Sequence, residues 1–273
     1  MSRFIPYIGG KRNLVKTILP LISPHRLYCE PFGGSATVLL AKPPSFCEIF
    51  NDVSGELITL FRVVKHHPEE FIREIRLTLR SREEFNRLQQ APPAILTDIQ
   101  RAARYYYLIK AAYSGKPPEA GSHFAGKQGG ASHPLTVYRV EPTLWDVHYR
   151  LSAVTIEHLS YGDCIGRYDG PEAFFYLDPP YYGHEKDYGP GIFSREDFAD
   201  LAALLVPGRL QGKFLLSLND RTEVRKLFAA FRMLEVTTTY QAGTRHGRAC
   251  PAQELLIANY EIPILRETPA RLH

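Results

Sequence analysis

Seven short apolar runs punctuate the chain: Leu27–Glu30, Phe46–Phe50, Val154–Leu159, Ala173–Leu177, Lys213–Leu218, Met233–Tyr240 and Glu254–Tyr260. Most are near-continuous rather than alternating, the pattern of strands covered by helices on both faces. Helical spacing fills several of the gaps. Ser54–Lys65 carries Leu57, Leu60, Phe61 and Val64 on one face. Lys11–Leu21 opens after Gly9-Gly10, and Ser35–Ala41 follows a second glycine pair. Ser194–Leu205 reads as a helix with Ser194 as its N-cap and Asp197 as the acid three residues on. Arg221–Phe231 is a further amphipathic stretch. Strands alternating with helices predict an α/β fold built on a parallel sheet. The last two runs, joined by a polar loop, predict an antiparallel hairpin at one side of it.

From residue 62 to residue 150 the β-rich runs vanish. Arg73, Arg76, Arg80, Arg82 and Arg87 alternate with Glu69, Glu70, Glu74, Glu83 and Glu84, which reads as a solvated helical face laced with ion pairs. A second helix near Asp98–Tyr113 holds Tyr105-Tyr106-Tyr107. Ser114–Pro134 follows, rich in Gly, Ser, His and Lys; so long a loop inside a compact domain is usually functional or mobile. The segment 62–150 therefore reads as a mostly helical insertion, which leaves 1–61 and 151–273 as one discontinuous α/β domain.

Composition narrows the class. The 273 residues include 44% hydrophobic and 23% charged side chains, a globular balance with ample length for a core. The excess of 33 Lys+Arg over 29 Asp+Glu, a net charge of +4, permits a polyanionic partner without requiring one. Cys29, Cys47, Cys164 and Cys250 form no CxxC pair, which argues against a zinc knuckle or a disulfide framework and for reduced thiols. Met1–Pro6 has no apolar leader pattern and no run is long enough to span a bilayer. The expectation is a cytoplasmic protein with no metal site and no membrane partner.

The sharpest chemical signal is Asp178-Pro179-Pro180-Tyr181, directly after the run Ala173–Leu177. It lies at a strand's carboxyl end, where open α/β sheets bind ligands. Two prolines stiffen the turn and remove two backbone donors. What remains is a carboxylate, free carbonyls and an aromatic ring, a set suited to a planar amine. Glu30-Pro31-Phe32-Gly33-Gly34-Ser35 is a strand-to-helix turn in which glycine lets a ligand approach the backbone. It is neither a GxGxxG nor a phosphate loop. Asn51-Asp52 ends the next strand, about 20 residues on, where a nucleoside-binding unit places its ribose-binding acid; Asp52 also suits a helix N-cap. Pro6-Tyr7-Ile8-Gly9-Gly10-Lys11 places a lysine before a helix. Tyr161-Gly162-Asp163 reads first as a turn and second as a binding carboxylate. Cys250-Pro251 has nothing local to activate its thiol, and His66-His67 make no metal-ligand spacing.

These motifs, in this order, resemble the Dam-like N6-adenine-specific DNA methyltransferases of the alpha group over essentially the whole chain. Ser217-Leu218-Asn219-Asp220 and Ala252–Tyr260 resemble the family's later sheet motifs. The resemblance implies a Rossmann-like seven-stranded S-adenosylmethionine-dependent methyltransferase sheet with a mostly helical target-recognition insertion. It implies S-adenosyl-L-methionine as cofactor, held by Tyr7, Lys11, the loop Glu30, Pro31, Phe32, Gly33, Gly34 and Ser35, the acids Asp52 and Asp163, Cys164 beside the latter, and Asp178. Asp178, Pro179, Pro180 and Tyr181 become the catalytic motif, with Tyr181 stacking on an adenine flipped from the duplex. The implied partner is double-stranded DNA, contacted from the insertion by Lys116, Lys127, Arg139 and the tyrosines at 105–107. A cognate restriction endonuclease is a further candidate partner, and a monomer or weak dimer is expected. The alternatives are a methyltransferase on another planar amine (cytosine N4, an RNA base or a protein glutamine side chain), a nicotinamide-dependent oxidoreductase on a similar fold, and a DNA-binding protein that has lost catalysis. Tyr7 stands where bacterial Dam proteins often carry Trp, and Ser114–Pro134 does not read like the recognition hairpin of GATC-specific members.

Overall fold

A computed structural model describes residues 4–7, 10–79, 81–112, 115–118, 121–125, 137–189, 191–240 and 250–263. Strands form where the apolar runs stand: β1 (Leu27–Glu30), β2 (Cys47–Asn51), β3 (Val154–Glu157), β4 (Ala173–Leu177), β5 (Lys213–Asn219), β6 (Arg232–Tyr240) and β7 (Cys250–Ala258). They make one seven-stranded sheet in the order β3-β2-β1-β4-β5-β7-β6. β1 to β5 pair in parallel, whereas β7 runs antiparallel to both β5 and β6. The expected terminal hairpin is present, with β7 wedged between β5 and β6.

Helices α1 (Val15–Ile18), α2 (Thr37–Ala41), α3 (Gly55–His66), α4 (Pro68–Arg76), α5 (Arg82–Gln90), α6 (Asp98–Ala111), α7 (Val137–Leu151), α8 (Tyr161–Tyr168), α9 (Asp197–Leu205) and α10 (Thr222–Leu227) cover the sheet. Side chains alternate along each strand, so two cores form. Tyr28, Phe50, Phe174, Tyr176 and Leu256 face one core; their neighbours Cys29, Ile49, Phe175, Leu177 and Leu255 face the other. α3, α4, α6 and α7 cover the first face, and α8, α9 and α10 cover the second. Among the described residues no helix is long and apolar enough to cross a membrane.

Three local expectations need correction. The stretch Lys11–Leu21 is one turn of α-helix between two 3-10 turns rather than a continuous helix, because Pro20 sits where the α-helical ladder would continue. Ser194 is not the cap of α9. Glu196 occupies that position, and the Ser194 N–H donates to the Asp197 carboxylate instead. Tyr161–Asp163 is not a free turn: Ser160 caps α8 by accepting from the Asp163 N–H at 3.1 Å.

The boundary drawn between residues 61 and 62 falls inside α3. Phe71, Ile72, Tyr105, Tyr106, Leu144 and Val147 from the segment 62–150 pack in the same core as Phe4, Phe50 and Phe61. The segment therefore shares the sheet's core, and among the described residues a small satellite cluster around Phe85, Tyr107 and Leu108 stands apart. Its surface is ion-paired, as in Arg76–Glu141 at 2.8 Å and Arg87–Glu84 at 2.6 Å.

Candidate active site

The strand order reverses between β1 and β4, which opens a crevice outside their carboxyl ends. Two loops line it, and each is held by specific bonds. After β1, the Gly33 N–H donates to the Asn51 carbonyl at 2.7 Å. A Cβ on Gly33 would lie 2.2 Å from Phe50 Cε2, so no larger residue fits there. Gly34 has φ +49°, and its N–H donates to Asp52 Oδ2 at 2.9 Å. The other Asp52 oxygen accepts from the Ser54 N–H at 2.9 Å, while Ser54, not Asp52, caps α3. Asn51 donates to the carbonyls of Pro31 and Leu159 and accepts from the Leu159 N–H at 2.8 Å. One amide thus ties together the ends of β1, β2 and β3.

After β4, the Asp178 carboxylate meets Lys11 Nζ at 2.6 Å. Lys11 is buried although it is a lysine, as a paired charge can be. It also donates to the Tyr181 hydroxyl at 2.9 Å and lies 4.4 Å from that ring's centroid. The Tyr181 hydroxyl donates in turn to Glu254 Oε1 at 2.5 Å, and Glu254 Oε2 accepts from Ser217 at 3.0 Å. Five side chains from four parts of the chain therefore form one bonded series. Asn219 pins the end of the same loop, accepting from the Tyr182 N–H at 2.9 Å and donating to the Tyr182 carbonyl at 3.0 Å.

Between the two loops lies a cavity of about 280 Å³. Phe32, Tyr161 and Phe193 form an aromatic group in its wall, with Phe32 and Tyr161 stacked at 5.2 Å. Elsewhere the wall is strongly acidic. Among the described lining residues, Glu30, Asp52, Asp178 and Asp197 are set against Lys11 alone. Burial raises the Asp178 carboxyl to about 6; Lys11 opposes the rise and the Glu254 charge adds to it. Burial likewise raises Glu30 to about 8, although the Tyr28 hydroxyl donates to it at 2.7 Å. Asp52 is also raised by burial, opposed by the Gly34 and Ser54 N–H groups.

The structure brings together Tyr7, Lys11, Glu30, Pro31, Phe32, Gly33, Gly34, Ser35, Asp52, Asp178 and Pro180 around this cavity. It does not bring Asp163 or Cys164 there. Asp163 is engaged with Ser160 at the start of α8, and Cys164 is buried with its sulfur 3.6 Å from that of Cys29. Pro179 is buried beside the site, and Tyr181 is fixed by its hydroxyl next to Lys11 rather than in the cavity wall. Tyr105, Tyr106 and Tyr107 are buried in the fold and cannot reach DNA. Lys116 is half-buried, beside Gly115, which packs on Pro6. Arg139 falls on α7 and Lys127 lies outside the described residues.

Sequence reasoning missed Tyr161, Tyr176, Tyr188, Phe193 and Glu254 as site residues. Two of them carried a readable signal. Glu254 is an acid inside an apolar strand run, which demands a buried partner. Tyr176 stands on β4 two residues before Asp178, the spacing at which strand side chains repeat their direction.

The pattern of a protein family described as D12 class N6 adenine-specific DNA methyltransferase matches residues 7–242. The chain is also similar to a Type II methyltransferase, M.CviBI, of Paramecium bursaria Chlorella virus NC1A, 24% identical over 95% of this chain and 100% of that protein. It is 25% identical to a DNA adenine methylase of Salmonella typhi, over 98% of each chain. The retron Ec67 DNA adenine methylase of Escherichia coli is 23% identical over 94% of this chain and 90% of its own length.

Proposed function

The chain belongs to the D12 class of N6 adenine-specific DNA methyltransferases, and on that premise we propose that its cavity holds S-adenosylmethionine and presents Asp178 to an adenine flipped from double-stranded DNA. The observation that carries this reading is the pairing of an acidic cavity with the Lys11–Asp178 contact at its edge. S-adenosylmethionine carries a sulfonium and an ammonium against one carboxylate, a net cation, and a wall with four carboxyl groups against one lysine suits it. The anionic diphosphate of a nicotinamide cofactor would be repelled by the same wall. The aromatic group at Phe32, Tyr161 and Phe193 offers faces for the adenine ring, and Asp52 offers an acceptor for ribose hydroxyls.

When bound, S-adenosylmethionine supplies an electrophilic methyl group on sulfur. The chain's own residues do the rest. Ionised Asp178 accepts one N–H of the target amine, and the carbonyl of Pro179 accepts the other. Both draw the nitrogen's lone pair out of the ring plane, where it can attack in line. Once the nitrogen gains the methyl it must lose a proton, and Asp178 is the acceptor already bonded to it. Lys11 holds Asp178 in place through its charge and is itself held by Tyr181. DNA contacts fall to the helical segment and the loop around Lys116.

Expression in a methylation-free host followed by sequencing of modified bases tests the reading. N6-methyladenine at a defined site is expected. DNA without added methyl groups, or with methyl on cytosine N4, overturns it.

A further inference from the structure

Tyr176 presents an anomaly inside the site. Its side chain is 2% exposed, it lines the cavity, and its hydroxyl has no hydrogen-bond partner among the described residues. A buried tyrosine hydroxyl normally finds one, because leaving it unmade forfeits its hydration without return. Phenylalanine would pack the same ring at that position without the penalty.

The position says what the hydroxyl faces. Tyr176 lies on β4 two residues before Asp178, the first residue past the strand, and both line the cavity. The β1–β4 register pairs Cys29 with Phe175, which places Tyr176 level with Glu30. The charges it senses are those of Asp178, Lys11, Glu30 and Glu254, the polar part of the site rather than the Phe32–Tyr161–Phe193 group. A ligand atom meeting this hydroxyl must therefore be a strong donor or acceptor seated among charges.

We propose that the Tyr176 hydroxyl is a binding group for the α-amino-acid end of S-adenosylmethionine. That end carries an ammonium and a carboxylate, and a neutral hydroxyl can accept from the first or donate to the second. Burial keeps the hydroxyl protonated. The inference rests on the cofactor reading above and adds to it a residue that binds ligand at the expense of the ligand-free fold.

Those opposed effects are its test. Calorimetry on the full chain and its Tyr176→Phe variant compares S-adenosylmethionine with 5′-methylthioadenosine, which keeps the nucleoside and sulfur but lacks the amino-acid end. S-adenosylmethionine affinity should fall roughly 10-fold or more, and 5′-methylthioadenosine affinity should stay unchanged. The ligand-free variant should melt at the wild-type temperature or above it. An unchanged S-adenosylmethionine affinity overturns the inference, as does an equal loss for both ligands. A lower melting temperature of the free variant also overturns it, because the hydroxyl would then have a partner in the protein. Wild-type protein that binds no S-adenosylmethionine sinks the cofactor reading and this inference with it; wild-type binding with an unaffected variant sinks this inference alone.

Discussion

The carboxyl edge of the sheet and the helical segment 62–150 are built by different rules. At the edge, residues as far apart as Lys11, Asp178 and Glu254 meet within one bonded series, yet each loop carries its own local mark. A glycine stands where Phe50 leaves no room, and prolines stand where the chain must turn and present carbonyls. In the helical segment the visible marks are charges, and most of those described decorate the surface. What holds the segment is Tyr105 and Tyr106 buried against Phe4, Phe61 and Phe71, contacts with no local requirement at all. Backbone constraints leave a trace in the sequence around them; packing between distant helices leaves only apolarity.

If the edge is the chemical centre, the largest effect should come from its carboxylate. Asp178→Ala should lower kcat roughly 10⁴-fold, a far larger effect than any weakening of cofactor binding. Single-turnover transfer of a labelled methyl group, beside calorimetry, separates the two. Because the wild-type carboxyl is raised to about 6, activity should fall as the medium is acidified through that value, where Asp178 gains a proton and stops accepting the amine. Turnover within tenfold of wild type in the variant would remove the chemistry from this edge.

The helical segment should show the converse, a loss of stability ahead of any loss of chemistry. Tyr106 is buried, 5.6 Å from the Phe4 ring and edge-on to Phe71 at 5.5 Å. Tyr106→Ala should cost about 3–5 kcal/mol through the cavity it opens. Unfolding should remain one cooperative transition, since the segment shares the sheet's core. Two separate transitions in denaturant would show an independent domain and restore the boundary expected from the sequence.

The bonded series sharpens the contrast on a smaller scale. Tyr181→Phe keeps the ring and removes the hydroxyl that Lys11 donates to and that donates to Glu254. Roughly a 10-fold fall in kcat is expected, with S-adenosylmethionine affinity preserved. A fall in affinity without a fall in kcat would make Tyr181 a cofactor contact instead.

Legibility follows the same division. All seven strands, their terminal hairpin and the loops after β1, β2 and β4 could be read because each depends on residues adjacent in sequence. Asp163 and Cys164 fall outside the cavity lining, where Asp163 bonds to Ser160 in the first turn of α8; a strand-proximal acid and a helix-capping acid look alike in sequence. The tyrosines at 105–107 were misread for a related reason. Three aromatic residues in succession on a helix point in three directions, and only the surroundings decide that all three are inside. Glu254 and Ser217 were quoted as part of sheet motifs, but their bond to each other and to Tyr181 spans the chain and has no local trace.

Glu30 supplies the finest probe of the edge. In the folded protein burial raises its carboxyl to about 8, whereas an unfolded glutamate titrates near 4.3. Between those values the folded state holds a proton that the unfolded state has lost, so the group's contribution to stability is full at low pH and declines as pH rises through this window. A cation seated beside Glu30 reverses that preference by stabilising the carboxylate. Binding of S-adenosylmethionine near neutral pH should therefore release a fraction of one proton, and Glu30→Gln should abolish the release. Calorimetry in buffers of different ionisation enthalpy measures it directly. Proton uptake on binding, or a release undiminished in the variant, would mean that the cofactor's positive charge does not sit against Glu30.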